Sequence, residues 1–225
     1  MSAEAQQLIT ITNPLSPISE AYRALRTNIQ FASFEKPARA IVVTSTGPDE
    51  GKTTTLANLA VAFSQAGNKV IIVDTDLRRP SLHRLFGLAN DFGLTSVFID
   101  GAAQEVSPRL QETSVPNLRV LTSGPLPPNP SELLASQKMR SLVDWLRSQA
   151  DYVLFDCPPI LAVTDAAVLG HQVDGVLLVC SAHRTKRDQA LKAKSLLQKV
   201  NANILGVVLN NVKLDPNLYQ YYSQR

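Results

Sequence analysis

The chain has 225 residues, of which 44% are apolar and 18% charged, which fits one large domain with a sizeable core. Its formal charge of +3 is too mild for a nucleic-acid binder of this size. No apolar run approaches the roughly 18–20 residues that cross a bilayer, and the opening MSAEAQQLITITNPLSP lacks the basic region and apolar core of a secretory signal, so the expected location is the cytoplasm.

Residues 1–18 read as an irregular N-terminal segment, with two prolines and no periodicity in residues 1–17. EAYRALR then sets Glu20, Arg23 and Arg26 three apart. On a helix these lie within about a third of the circumference. Read alone, that face could be solvated and hold a single Glu–Arg pair worth a few tenths of a kcal/mol. Strand candidates follow at AIVVTS (40–45), KVIIVDTD (69–76), LRVLTSG (118–124), YVLFDCP (152–158), DGVLLVC (174–180) and NILGVVLNN (203–211). They show little polar alternation, as expected of strands buried on both faces of a parallel sheet.

Helical patterns lie between the strands. Residues 52–66 stop at Gly67, residues 131–149 follow a Pro-rich loop, and residues 164–171 and 185–200 complete the set. The repetition predicts a three-layer, doubly wound, mainly parallel α/β fold whose ligands bind at the carboxyl ends of the strands. Residues 100–116 read as a polar, mobile loop, and KLDPNLYQYYSQR (213–225) as an unpacked tail. Cys157 and Cys180 sit in or beside apolar runs and read as free buried thiols. His83, His171 and His183 lack metal-ligand spacing. The basic stretch from His183 to Lys194 reads as the exposed face of a helix, or as a docking surface for an acidic partner.

The strand AIVVTS runs into TGPDEGKTTT and then the apolar helix LANLAVAF, the strand–loop–helix context of a phosphate-binding P-loop. Backbone N–H groups of Gly47, Asp49, Glu50, Gly51, Lys52, Thr53 and Thr54 are expected around the phosphates of ATP, at a helix N-terminus whose dipole favours an anion. Lys52 would neutralise the terminal phosphates, and Thr53 would place its hydroxyl on Mg²⁺. The usual GxxxxGK[ST] pattern is imperfect. Thr46 stands at the first glycine position, Gly47 is expected to supply the tight turn, and Pro48 removes one donor from the loop.

Two further strand ends are acidic. In KVIIVDTDLRRP, Asp74 and Asp76 are two apart and should point to one side of an extended chain. Like charges repel unless a cation sits between them, and Mg²⁺ with phosphates fits. In YVLFDCPP, Asp156 closes an apolar strand in the manner of a Walker B aspartate. Arg78 and Arg79 could reach phosphate, hold a neighbouring chain, or lie on the surface. Asn210, at the end of the last strand, is the candidate adenine contact.

The loop TGPDEGKTTT, the strand ends VDTDLRRP and LFDCPPILAVTDA, and SGPLPPNPSELL (123–134) together resemble bacterial tyrosine kinases of the capsule and exopolysaccharide type. These are P-loop ATPases related to the partition and division-site ATPases, and the resemblance spans residues from about 19 to 212. The related ATPases typically carry a lysine five residues before the P-loop lysine, where this chain has Gly47, which favours the kinase branch. The resemblance implies a kinase domain over 19–212 and a flexible tyrosine-bearing tail at 213–225. It implies subunit contacts through Glu20, Arg23 and Arg26 in a ring-like homo-oligomer. It also implies phosphoacceptors at Tyr219, Tyr221 and Tyr222, three of the five tyrosines of the chain.

The expected activity is Mg-ATP-dependent tyrosine autophosphorylation between subunits. Lys52, Asp74, Asp76 and Asp156 are the catalytic candidates, and Asp74 or Asp76 would accept the proton. Expected partners are a transmembrane polysaccharide co-polymerase-type activator, or a membrane domain fused in the same chain, and an opposing tyrosine phosphatase. They would hold the kinase at the inner face of the plasma membrane, with no nucleic acid involved. A partition-type ATPase switch and a nucleotide-binding scaffold share the same phosphate-site residues and stand as alternatives.

Overall fold

The computed structural model describes residues 8–32, 37–99 and 108–213. In chain order the elements are α1 (Ile9–Thr12), α2 (Pro17–Ala32), β1 (Ala40–Ser45), α3 (Lys52–Gln65), β2 (Val70–Asp74), α4 (Leu82–Phe86), α5 (Ser96–Ile99), β3 (Gln111–Glu112), β4 (Leu118–Leu121), α6 (Pro130–Ala135), α7 (Gln137–Gln149), β5 (Tyr152–Asp156), α8 (Asp165–Gly170), β6 (Gly175–Ser181), α9 (Arg187–Lys199) and β7 (Ile204–Asn210). The tyrosines Tyr219, Tyr221 and Tyr222 lie outside the described residues.

The sheet has seven strands in the order β3-β4-β2-β5-β1-β6-β7. Every neighbouring pair is parallel except β3 with β4. The central strands are apolar along their whole length because each face meets a different helical layer. Ile41 and Val43 of β1 pack with Leu56, Leu59 and Phe63 of α3. Ala40 and Val42 of the same strand pack with Leu142 and Leu146 of α7 and with Ala166 and Leu169 of α8. Each Val, Leu, Ile or Phe side chain so buried is worth roughly 1.5–3 kcal/mol over leaving it exposed.

Helix α3 is buried from Thr55 to Ser64 because α2 covers the side turned away from the sheet. The N-terminal segment is more ordered than its composition suggested. Leu8 is buried, and Thr10 donates through its backbone N–H and its hydroxyl to Asn58 Oδ1, at 3.1 and 2.8 Å. Four helical residues are too few to leave a periodic pattern, and their anchor is a side chain 48 residues away. α2 starts at Pro17, a favoured first-turn residue, and Ser16 Oγ accepts from Ser19 N–H there.

The helical pattern at 131–149 is two helices. Ser136 leaves helical geometry (φ −68°, ψ 156°) and caps α7 by accepting from Met139 N–H, as serine does at an N-cap. Within the expected loop at 100–116, Gln111 and Glu112 pair antiparallel with β4. No helix among the described residues is long and apolar enough to cross a membrane.

Candidate active site

The strand order sets β1 between β5 and β6, with β2 on the far side of β5. The carboxyl ends of β1, β5 and β2 therefore meet at one edge of the sheet. Their last residues run directly into the loop before α3, into Cys157, and into the segment carrying Asp76.

The loop turns on Asp49 (φ 56°) and Gly51 (φ 85°), both in the left-handed region. Gly47, the expected turn residue, has no positive φ, and a Cβ there would meet only Glu50, at 3.7 Å. Gly51 cannot be replaced so freely, because an added Cβ would fall 2.1 Å from Asn210 Nδ2.

Glu50 is buried, and its carboxylate accepts from Thr46 N–H (2.8 Å), the Thr46 hydroxyl (2.6 Å), Gly47 N–H (3.0 Å) and the Thr185 hydroxyl. The Glu50 side chain therefore braces the loop from within, and Thr46 earns its place at the usual glycine position by bonding to it. Asn210, expected at adenine, donates its amide N–H to the Glu50 carbonyl (3.0 Å). It ties the end of β7 to the loop.

Lys52 Nζ lies 3.0 Å from Asp76 Oδ2, 3.2 Å from Asp156 Oδ1 and 3.2 Å from Thr53 Oγ1. The Thr53 hydroxyl donates to Asp156 Oδ2 at 2.6 Å. Burial disfavours the charged ammonium, but the adjacent Asp156 and Asp76 carboxylates outweigh it and raise the Lys52 pKa above its ordinary value. Burial raises the pKa of Asp156, with Lys52 opposing.

The pairing of Asp74 differs from expectation. β2 ends at Asp74, which stands in register opposite Asp156 of β5, so its close acidic neighbour lies across the strands rather than two residues along the chain. Asp74 Oδ2 accepts from Ser81 N–H and Leu82 N–H, both at 2.9 Å. Asp74 Oδ1 is buried and has no hydrogen-bond partner among the described residues. Burial, then the Asp156 charge, pushes its pKa up to about 7. Asp76 lies beyond the strand end, where its Oδ1 accepts from Arg79 N–H (3.0 Å).

Thus Lys52, Thr53, Asp76 and Asp156 meet directly, and Asp74 adjoins them. Two aligned buried carboxylates with one unsatisfied oxygen fit a small hard cation shared with phosphate oxygens. Among the described residues no cluster of three or more His, Cys, Asp or Glu is arranged to hold a metal alone. Cys157, behind Asp156, is buried and bonded to Thr75 Oγ1 at 3.1 Å. Burial raises its thiol pKa, so it reads as inert. Cys157 and Cys180 are both free.

Sequence reading missed one network. Arg78 Nε lies 3.0 Å from Asp165 Oδ2, and Asp165 Oδ1 accepts from the Ser131 hydroxyl. Asp165 is fully buried. This network joins three of the motifs singled out in the sequence: VDTDLRRP through Arg78, SGPLPPNPSELL through Ser131, and LFDCPPILAVTDA through Asp165. The one available signal was an acid following Thr164 at a helix start.

The face carrying Glu20, Arg23 and Arg26 divides. Arg23 pairs with Glu20 at 2.8 Å on the surface. Arg26 turns inward and donates to the Ala62 carbonyl of α3 at 2.9 Å.

A parallel sheet with a lysine and a threonine following a Gly-turned loop, facing a strand-end aspartate, defines a P-loop NTPase. The family described as ParA, NUBPL iron-transfer P-loop NTPase, matches residues 36–216. The Bacillus subtilis (strain 168) tyrosine-protein kinase YwqD is 45% identical over 221 residues, 98% of this chain and 92% of that protein. The putative tyrosine-protein kinase CapB of Staphylococcus aureus is 41% identical over 209 residues, 93% of this chain and 91% of that protein. The solved kinase domain of Escherichia coli tyrosine kinase ETK is 37% identical, with a TM-score of 0.86 over 93% of this chain and 81% of that one. Within the P-loop NTPases, the chain belongs to the bacterial tyrosine-protein kinases.

Proposed function

We propose that this kinase uses Mg-ATP to phosphorylate its own C-terminal tyrosines Tyr219, Tyr221 and Tyr222 between subunits, and so regulates capsule or exopolysaccharide synthesis and export. The observation that carries the reading is the clasp in which Lys52 bridges Asp76 and Asp156 while Thr53 bonds to Asp156. An incoming triphosphate offers Lys52 a new anion and frees the carboxylates for a cation. Thr53, Asp156 and Asp74 would hold Mg²⁺, with Asp76 alongside. When bound, Mg²⁺ neutralises charge on the phosphates.

A tyrosine hydroxyl has a pKa near 10 and needs a proton acceptor at neutral pH; Asp76 or Asp74 would supply it while the other carboxylate stays on the cation. The phenolic oxygen bonds to the γ-phosphorus, the bond from that phosphorus to the β–γ bridging oxygen breaks, and ADP leaves. Lys52 and the loop N–H groups stabilise the charge that spreads over the transferred group. Glu50 and Asn210 hold the loop so that these donors need no reorganisation. The N–H groups of Gly51, Lys52, Thr53 and Thr54 at the start of α3 are the phosphate donors on this reading.

A ring formed through Glu20 and Arg23 would bring one tail to the next subunit's site. A transmembrane co-polymerase-type partner, or a membrane domain in the same polypeptide, would hold the kinase at the inner membrane face, and a tyrosine phosphatase would reset it. The test is to mix two chains, a catalytically inactive Lys52→Met with an intact tail and a catalytically intact one with Tyr219, Tyr221 and Tyr222 changed to Phe, beside a Lys52→Met control alone. Phosphotyrosine on the Lys52→Met chain only in the mixture supports transfer between subunits. ADP release with no phosphotyrosine would instead favour a partition-type ATPase switch, which the family match on the same loop makes the second reading.

A further inference from the structure

The sheet ends at β7, whose only strand neighbour among the described residues is β6. Its sequence, ILGVVLN, carries none of the lysines or prolines that usually protect an edge strand. Val207 is 60% exposed, and Leu191 of the adjoining α9 is 52% exposed. Between strand and helix runs a groove of about 590 Å³, lined among others by Leu191, Ile204 and Val207 and rimmed by Arg187 and Lys194.

The groove side of α9 is a regular stripe. Arg187, Ala190, Leu191, Lys194 and Gln198 all line it, at the spacing of one helix face. Residues 183–199 carry Arg184, Lys186, Arg187, Lys192, Lys194 and Lys199 against Asp188 alone, more positive charge than the +3 of the whole chain. Neither Arg187 nor Lys194 enters an ion pair among the described residues. An apolar floor with two unpaired cations on its rim suits an extended segment that carries both aromatic surface and negative charge.

We propose that this groove receives the phosphorylated tail of the same chain. The proposal rests on tail phosphorylation as read above. The tail leaves the last described residue, Lys213, three positions past β7. Asp215-Pro216-Asn217 favours a turn. Residues 218–225 are long enough, at about 3.3 Å each, to return along the roughly 20 Å of β7.

Tyr219 and Tyr221 fall on one side of an extended segment, about 7 Å apart. Arg187 and Lys194 lie two helical turns apart, about 10 Å along the axis, within reach of two phosphates through their long side chains. Unmodified, residues 213–225 carry Lys213 and Arg225 against Asp215, a net positive side-chain charge that gives a cationic rim little to attract. Each phosphate adds about −1.5 to −2. Docking therefore follows modification and keeps the product tail out of the neighbour's nucleotide site.

The test uses the full chain with Tyr219→Phe, Tyr221→Phe and Tyr222→Phe, titrated with a synthetic peptide of residues 213–225 phosphorylated at all three tyrosines. Because the phosphates are made chemically, failure of the kinase to modify itself would not affect this result. The expected outcome is binding that Mg-ADP does not compete with, that the unphosphorylated peptide does not reproduce, and that Arg187→Glu with Lys194→Glu weakens about tenfold or more. Both positions are exposed, and an unchanged melting temperature confirms that the doubly substituted chain is folded. Binding that survives the charge reversal, or that Mg-ADP displaces, overturns the proposal. Anionic lipid vesicles bound through the same two residues, with no peptide binding, would overturn it and assign the surface to a membrane.

Discussion

Lys52 has a structural duty as well as a chemical one, and Lys52→Met separates them. Methionine keeps the length of the side chain and removes its charge. The ammonium lies 3.0 Å from Asp76 and 3.2 Å from Asp156, and the Asp156 side chain is 0% exposed. Removing one partner from such a buried pair costs about 3–5 kcal/mol. At this chain length each kcal/mol moves the melting temperature by roughly 2–4 °C, so the loss at pH 8 should be roughly 6–20 °C.

Asp156 can relieve the penalty by taking up a proton. Burial already raises its folded pKa, and without the cation that pKa rises further above the unfolded value, so the variant recovers stability below the unfolded pKa and loses it as pH rises through the folded one. The deficit should therefore be smaller at pH 5 than at pH 8. MgCl2 at pH 8 should recover part of it, because a cation again faces the carboxylates, while phosphoryl transfer stays absent. Thermal unfolding followed by circular dichroism at both pH values reads all of this. A variant as stable as the parent at pH 8, or equally destabilised at both pH values, would refute the clasp.

Asp74→Asn tests the neighbouring carboxylate. The folded pKa of Asp74 is pushed up to about 7 from 3.8, so Asp74 lowers stability progressively as pH rises from about 4 through about 7. The amide variant should lose that slope in urea unfolding, and a slope equal to the parent's would contradict the assignment. Gly51→Ala should cost about 2–3 kcal/mol, from a left-handed φ and the contact with Asn210, and Asn210→Ala should recover part of it. Strict additivity of the two in a double-mutant cycle would remove the contact. Arg26→Ala should lower chain stability by about 1 kcal/mol, through the lost bond to Ala62. Glu20→Ala should leave stability unchanged and reduce oligomer mass in light scattering, and an unchanged mass would remove Glu20 from the interface.

Much of the fold was legible because burial on both faces leaves a simple trace. All six apolar runs are strands, and β1 matches its sequence reading residue for residue at 40–45. The elements missed were short ones. Neither the two-residue β3 nor the four-residue α1 and α5 is long enough to carry a period, and each depends on partners far along the chain. The site was legible where chemistry and chain position coincide, as at Lys52, Thr53 and Asp156. It was not legible where a role depends on tertiary contact. Glu50 reads as one more loop residue until Thr185, 135 positions away, donates to it. Asn210 reads as a base contact, and its tie to the Glu50 carbonyl is visible only in the fold. Glu20, Arg23 and Arg26 read as one face until Arg26 is seen crossing to α3.

The most direct test of the account is intact-protein mass spectrometry after incubation with Mg-ATP, with peptide mapping. The account predicts added mass in multiples of phosphate, located on Tyr219, Tyr221 and Tyr222 and absent from Lys52→Met. ADP formation with no added mass, or phosphate confined to other residues, would contradict it.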